Sequence, residues 1–143
     1  MKLTEENCNE IIYSFNEIDW QKLFYLIPEI ENTKDFGSLI MGEKVNGILT
    51  MPYYKEHTVV ADFHRIVYEI PVVISFDWGS WTEGHKILNT ENFEFDTIDV
   101  VTKCKLITTI VRNDRFCEGA LVNAFKSGII LKILKSIRNQ IKS

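Results

Sequence analysis

The sequence predicts a mainly α fold, a compact single-domain bundle of about six to seven helices with a small two-stranded hairpin, and so α+β at most. A chain of 143 residues, 45% hydrophobic and 12% aromatic, has the size of one domain and can bury a core. Apolar residues recur through most of the chain at the i, i+3, i+4, i+7 spacing of one buried helical face. Residues 1–143 contain no repeat and no linker rich in proline, glycine or serine, so we expect a single domain.

Two helices are expected at the start of the chain. Thr4 can cap the first, because its hydroxyl can accept from a free amide and two glutamates follow near the positive end of the dipole. The apolar face of this helix comprises Cys8, Ile11, Ile12 and Phe15. Asp19 can cap the second helix, whose face comprises Trp20, Leu23, Phe24 and Ile27. Pro28 lacks an amide hydrogen, so we expect this helix to end or kink there.

The stretch from Gly37 to Tyr54 predicts a hairpin. Asn46-Gly47 stands between Glu43-Lys44-Val45 and Ile48-Leu49-Thr50, and both turn residues tolerate the positive φ that a type I′ turn requires. Pro52 follows closely, so the second strand is expected to be brief and near an edge.

The middle of the chain predicts two further helices. Thr58 begins one that Pro71 ends, with an apolar face of Val59, Phe63, Ile66, Val67 and Ile70. Val72–Phe76 is apolar and β-branched, which fits either a short strand or a buried connector. Ser80-Trp81-Thr82-Glu83 matches a capping box, followed by a short helix to about Leu88.

Three helices are expected in the last third. Asp96 can cap one whose face comprises Val100, Cys104, Ile107 and Val111. Asp114 or Asn113 can cap the next, with Cys117, Ala120, Leu121, Ala124 and Phe125 pointing inward. Gly128 predicts a break, and the last helix has a face of Ile130, Ile133, Leu134, Ile137 and Ile141.

The charge balance argues against nucleic acid and membrane as partners. A net charge of −4 and a sequence pI of about 5.4 do not suit the neutralisation of many phosphates. Glu5, Glu6 and Glu10 stand where a secretory signal needs positive charge and an apolar run. No apolar run approaches the roughly 18 residues of a membrane-spanning helix. We therefore expect a cytoplasmic protein.

Cysteine and histidine spacing predicts no metal and no cofactor. Cys8, Cys104 and Cys117 are an odd number at wide spacing, which is neither a disulfide framework nor a zinc motif. His57 and His64 would lie about 10 Å apart along a helix, too far to share a metal directly. The H-E-x-x-H, P-loop, Rossmann and G-x-S-x-G patterns are absent, which is informative but not exclusive.

Several stretches of the chain resemble a bacterial family. They are the Met51-Pro52-Tyr53 step, Phe76-Asp77-Trp78 with Trp81 three residues on, and the run DRFCEGALVNAFKSGIILKIL from Asp114 to Leu134. From about Trp20 onward the chain resembles a family of small bacterial proteins classed as a domain of unknown function. The resemblance implies one mainly helical domain in a bacterial cytosol, and it implies no catalytic residues.

Asp114-Arg115-Phe116-Cys117-Glu118 concentrates charged and reactive side chains. If Asp114 caps a helix, Cys117 lies at its third position, where free amides and Arg115 favour a thiolate. A reactive cysteine needs a base, however, and no histidine follows His85. Cys117 also shares a helical face with small apolar residues, and free cysteine is among the most buried residue types. We favour Asp114 as a cap and Arg115 and Glu118 as ion-pair partners, and keep these three as candidate ligand-binding residues.

A second cluster lies between Asp77 and His85. Asp77, Glu83 and His85 could act as acid and base beside Trp78 and Trp81, which could stack on a planar ligand. Against this, Glu83 has a role in the capping box, and aromatic residues such as Trp81 usually belong to the core. A structural role is therefore favoured, and this is the first place to look for a ligand.

The two ends of the chain carry opposite charge. Residues 126–143 hold five basic residues and no acidic ones, whereas residues 1–43 hold nine acidic residues and three lysines. We favour ends that face each other, or a solvated helix surface, over a binding face. A helix-turn-helix in which Asn139 and Gln140 read base edges is also conceivable, but reading residues normally lie at a helix N-terminus.

The preferred hypothesis is an uncharacterised intracellular binding or protein–protein interaction module that binds a protein partner or self-associates through a helix face. One alternative is a small enzyme of unknown reaction that uses Asp77, Glu83 and His85 near Trp78 and Trp81. Another is a helix-turn-helix nucleic-acid binder that uses the C-terminal basic helix. Whether the protein is an enzyme stays open at this point.

Overall fold

The computed structural model describes residues 2–42, 44–49 and 51–142, and it confirms the mainly α fold. Eight α-helices lie within these residues, where the sequence predicts about six to seven. They are α1 (Cys8–Tyr13), α2 (Glu17–Phe24), α3 (Leu26–Asn32), α4 (Thr58–Glu69), α5 (Thr82–Leu88), α6 (Val100–Asn113), α7 (Ala120–Lys126) and α8 (Ile129–Lys142).

The helix expected from Asp19 to Pro28 is two helices. α2 ends at Phe24 and α3 begins at Leu26, so the break comes before the proline. Pro28 is the third residue of α3, a position whose amide has no acceptor within the helix. The proline therefore lies in the first turn of α3 and does not end a helix.

Six short strands form three two-stranded pairs in the described residues, where one hairpin was expected. They are β1 (Leu3–Thr4), β2 (Gly37–Ile40), β3 (Lys44–Val45), β4 (Ile48–Leu49), β5 (Tyr53–Glu56) and β6 (Ile74–Ser75). β1 pairs in parallel with β6, and β2 pairs antiparallel with β5. Thr4 therefore lies in β1 and does not cap α1, although its amide donates to the Asn7 side chain at 2.7 Å.

The predicted hairpin is confirmed as β3 and β4. Asn46 and Gly47 have φ of 53° and 79°, as a type I′ turn requires. Glu43 and Thr50, expected in its flanks, lie outside the described residues. Together with β2 and β5, this hairpin makes an arm of residues 37–56.

Two of the predicted caps are displaced by three residues. Asn16 caps α2 by accepting from the Asp19 amide, and Asp19 takes the reciprocal position of the capping box. Asp99 caps α6, while Asp96 accepts a hydrogen bond from the Ser136 hydroxyl at 2.5 Å. In both places two cap-forming side chains lie one turn apart, so composition alone does not show which one begins the helix.

α6 is the central helix of the core. Ten of its 14 residues are buried, and it packs against α1, α5, α7 and α8. Because burial extends around the helix, its polar residues need internal partners. The Thr108 hydroxyl donates to the Cys104 carbonyl at 2.8 Å and accepts from the Ile74 amide at 3.0 Å, which ties β6 to α6.

α8 packs its apolar face inward and faces the acidic part of the chain. Its buried residues include Ile130, Ile133, Leu134 and Ile137. The Lys135 amine lies 3.1 Å from the Glu31 carboxylate of α3, which supports the interpretation that the oppositely charged ends face each other. Gly128, with φ of 85°, makes the predicted break before α8.

Replacing Thr108 with valine tests the tie between β6 and α6. Thr108→Val keeps the side-chain shape but leaves the buried Ile74 amide without its acceptor, so we expect the free energy of unfolding to fall by about 1–3 kcal/mol. Thr109→Val is the matched control, because the Thr109 hydroxyl only donates to the Lys105 carbonyl within α6. Urea unfolding measures both, and an equal loss in the two variants would contradict the assigned role of Thr108.

Candidate functional site

The candidate site lies where β6 leads past the last turn of α6 into α5. A single 3-10 turn, Trp78–Ser80, makes the bend between Phe76 and α5. The His85 Nε2 atom lies 3.0 Å from the Trp78 carbonyl oxygen. Since a carbonyl only accepts, Nε2 carries the hydrogen and the ring orientation is set.

Trp81 is a partly buried residue that packs against the core. Its indole meets the Phe76 ring edge-on at 5.5 Å and 78°, and the Lys105 amine lies 5.9 Å from the indole centre. Gly84 is buried beneath it, and a Cβ there would overlap the six-membered ring of the indole. The preference for a core role of Trp81 agrees with this packing.

The predicted capping box at Ser80 is wrong. Trp81 occupies the cap position of α5, and no side chain there makes a capping hydrogen bond. Ser80 belongs to the 3-10 turn instead, one residue too early to reach the free amides of α5. Glu83 is exposed in the first turn, where its charge favours the helix dipole.

The three candidate catalytic residues are not joined in the described residues. Asp77 and Glu83 are exposed, whereas His85 is half-buried. The His85 ring bonds to a backbone carbonyl, and none of the three side chains bonds to another. The three residues are close in the sequence, but no hydrogen bond joins their side chains into an acid–base pair.

A groove lined in part by Trp78 brings together residues from distant parts of the chain. It consists of two hollows of about 390 and 380 Å³ that share Lys2, Ser75 and Arg112, and we call it the Arg112 groove. The first hollow is completed by Leu3, Tyr68, Pro71 and Val73. The second is completed by Ile74, Phe76, Trp78, Arg115 and Phe116.

The Arg112 groove is lined by cations and aromatic rings. Lys2, Arg112 and Arg115 are the charged residues among the described lining, which contains no carboxylate. No described carboxylate lies within ion-pair distance of either guanidinium. The Arg112 guanidinium carbon lies 5.8 Å from the centre of the Tyr68 ring, a cation–π contact that holds the side chain over the groove.

A closed loop presents Arg115 and Phe116 at the groove. The Asp114 carboxylate accepts from the Leu121 amide at 3.0 Å and so caps α7 from seven residues away. Gly119, with φ of 90°, completes the turn. The expectation that a helix begins directly after Asp114 is wrong, although the Asp114 carboxylate does accept from an amide in the first turn of α7. The four side chains after Asp114 are exposed.

Phe116 is the most exposed large hydrophobic residue in the part of the chain that the structure describes. Its side chain is 81% accessible, and its ring centre lies 6.0 Å from that of Trp78 at an interplanar angle of 36°. Glu118 is also exposed and makes a contact of its own. Of the candidate ligand-binding residues, Trp78 and Arg115 line the Arg112 groove, whereas Trp81 and Asp114 have structural roles.

The expectation that Cys117 points inward is wrong. α7 begins at Ala120, so Cys117 lies in the preceding loop and is exposed. Cys117 and His85 line the same 430 Å³ cavity, with Asn113 and Asn123 among its polar residues. Sequence reasoning missed this proximity, because the two residues belong to segments that only tertiary packing brings together. Arg112, Tyr68 and Lys2 were missed for the same reason.

A family of unknown function, DUF6508, matches residues 15–143. The chain belongs to this family. No curated protein sequence and no solved structure matches it. The family assignment confirms the resemblance seen in the sequence, and it assigns no reaction or ligand.

Two further searches concern only the described residues. No three His, Cys, Asp or Glu side chains among them lie close enough to hold a metal ion. None of the described helices is both long and apolar enough to cross a membrane.

The contact between Gly84 and Trp81 can be tested by adding one methyl group. Gly84→Ala puts a Cβ into the indole, so we expect a loss of about 1–3 kcal/mol in the free energy of unfolding. Gly79→Ala is the control, since the nearest atom to a Cβ there is 4.0 Å away and a change within about 0.5 kcal/mol is expected. If both variants unfold at the urea concentration of the parent chain, the close packing is refuted.

Cysteine labelling tests the loop that follows α6. Cys8 and Cys104 are buried, and burial raises the pKa of the Cys104 thiol, so both should resist a thiol reagent in the folded protein. We expect one rapid equivalent of Ellman's reagent to react per native chain and three in guanidinium chloride. Cys117→Ser should abolish the rapid equivalent, and a native chain without any rapid thiol would refute the placement of Cys117.

Proposed function

We propose that the protein is a binding module whose ligand is a small anion held in the Arg112 groove. The observation that carries the proposal is the convergence of Lys2, Arg112 and Arg115 in a groove whose described lining has no carboxylate. The chain as a whole has a net charge of −4, so this cluster of positive charge runs against the overall balance.

The chemistry of the cations suits an anion. A guanidinium presents a planar fork of donors that pairs with two oxygens of a phosphate or carboxylate, and such charge-assisted bonds contribute about 1.5–3 kcal/mol each. Arg112 is half-buried and rests against Tyr68, so little side-chain freedom is left to lose when an anion binds. Arg115 is exposed at the rim, where its charge attracts the ligand from solution.

The groove is built on elements that do not need to move. Ser75 belongs to β6, which pairs with β1 and is tied to α6 by the Thr108 hydroxyl. Arg112 lies in the last turn of α6, the central helix of the core. A preformed backbone of this kind lowers the ordering cost of binding, because only side chains have to be fixed.

Titration with inorganic pyrophosphate tests the proposal. We expect saturable binding by calorimetry that weakens as salt is added, because exposed charges are screened. Arg112→Ala should weaken binding at least tenfold, about 1.4 kcal/mol. Arg65→Ala is the control, since Arg65 pairs with Glu69 on the exposed side of α4. Circular dichroism should show that each variant keeps its helices. Absence of binding at millimolar pyrophosphate, or an equal loss in both variants, would overturn the proposal.

A second candidate function is self-association through the arm of residues 37–56. Five large apolar side chains on the arm are each more than half exposed: Met41, Ile48, Leu49, Met51 and Tyr53. A two-stranded hairpin is marginally stable alone, and its open edges can pair with the same edges of a second copy. Self-association was expected through a helix face, but this cluster of exposed apolar side chains lies on the β arm.

Light scattering over a range of concentrations tests self-association. A dimer in the micromolar range is expected, and Leu49→Lys should weaken it at least tenfold, because a charge replaces an apolar contact. Ile18→Lys serves as control, since Ile18 is as exposed as Leu49, at 72%, but lies on α2. A parent chain that stays monomeric at about 100 µM, well above a typical micromolar Kd, would end this candidate.

The other two hypotheses find less support in the contacts. A recognition helix needs Gln140 to be free for base edges, but its side chain accepts from the Lys103 amine at 2.6 Å and donates to the Ile98 carbonyl. An acid–base enzyme needs Asp77 and Glu83 to meet His85, and no hydrogen bond among the described residues joins them. The anion-binding hypothesis has more residues in its support than the nucleic-acid or the enzyme hypothesis.

A further inference from the structure

We infer that the anion bound in the Arg112 groove is the phosphate of a nucleotide, and that its base stacks on Phe116. The inference rests on the proposed function and names the class of ligand. It begins from the exposed Phe116 ring beside the cations. A site for inorganic anions alone would have no use for this ring.

Phe116 is exposed because the loop around it is closed. The Asp114 carboxylate accepts from the Leu121 amide, and the Cys117 amide donates to the Asn113 carbonyl at 2.9 Å, which closes a loop whose residues 115–118 are exposed. Phenylalanine is the most apolar side chain in this stretch, and water contacts most of its surface. A flat apolar partner would cover it.

The position of the ring suits stacking on one face. Trp78 and Phe116 have ring centres 6.0 Å apart, so they contact each other and leave no slot between them. Trp78 thus supports Phe116 from one side, and the remaining face is open to a base. Stacking on an aromatic side chain accepts any base, because every base has a π face.

The cations lie where the phosphates of such a ligand would reach. Arg115 directly precedes Phe116, and its amide bonds to the Arg112 carbonyl, so the backbones of both arginines lie about one turn or less from that of Phe116. Both line the same hollow as Phe116. Arginine is suited to phosphate because its fork donates two parallel hydrogen bonds.

The size and charge of the groove favour a mononucleotide over a nucleic-acid chain. Hollows of about 390 and 380 Å³ lie within the range of small-molecule sites. A polymer would need a long basic track, and this chain carries 20 acidic residues against 16 lysines and arginines. The expected ligand thus has one aromatic base and one compact anionic group.

A three-ligand comparison separates the ring from the charge. ADP, pyrophosphate and adenosine are titrated without divalent cations by calorimetry, with quenching of tryptophan fluorescence as a second readout. ADP is expected to bind at least tenfold more tightly than pyrophosphate, and adenosine more weakly than either. If pyrophosphate binds in a manner that depends on Arg112 while ADP binds no better, the nucleotide inference fails and the proposed function stands. If none of the three binds, both fail.

Phe116→Ala gives the matching variant. It should remove the advantage of ADP over pyrophosphate, so that the variant binds the two ligands with similar affinity. Folding should be preserved, because the Phe116 side chain is 81% exposed. Tyr25→Ala, which removes an aromatic ring that is 78% exposed elsewhere, should leave the binding of both ligands unchanged. Equal ADP binding by the parent chain and Phe116→Ala would overturn the stacking role.

Discussion

The hydrogen bond from the Ile74 amide to the Thr108 hydroxyl joins the two elements on which the Arg112 groove is built. β6 leads into Trp78, and the last turn of α6 carries Arg112. Both partners of the bond are buried, so water cannot replace either one, and the distance between strand and helix is set. The cations and rings of the groove are therefore held apart at a spacing that the core determines.

The helices were predictable from the sequence because their apolar residues repeat with the helical period. Val59, Phe63 and Val67 on α4, and Ile130, Ile133 and Leu134 on α8, are all fully buried as expected. The caps were less predictable, because Asp96 and Asp99 are equally able to begin a helix and only Asp99 meets a free amide. Local pattern thus identifies helices better than it identifies their ends.

The candidate site could be predicted only in part. Trp78 and Arg115 were named from the sequence, but Lys2, Tyr68 and Arg112 join them through the pairing of β1 with β6 and the packing of α4 near α6. The position of Cys117 was wrong because α7 begins at Ala120, five residues later than a cap at Asp114 predicts, so Cys117 lies in the exposed loop while Leu121, Ala124 and Phe125 are buried as expected. The net charge did not predict the site either, because a value of −4 for the whole chain says nothing about where charges lie, and three cations line one groove.

The parallel pairing of β1 with β6 has a consequence for how the molecule assembles. Leu3 pairs with Ile74, and the Ile74 amide donates to the Thr108 hydroxyl. One wall of the groove therefore depends on contacts between segments that are far apart in the sequence. Contacts between distant segments form slowly, since the intervening chain must first lose its freedom. β1 therefore gains its strand partner only after β6 has been made, and β6 gains its buried acceptor only after Thr108 has been made.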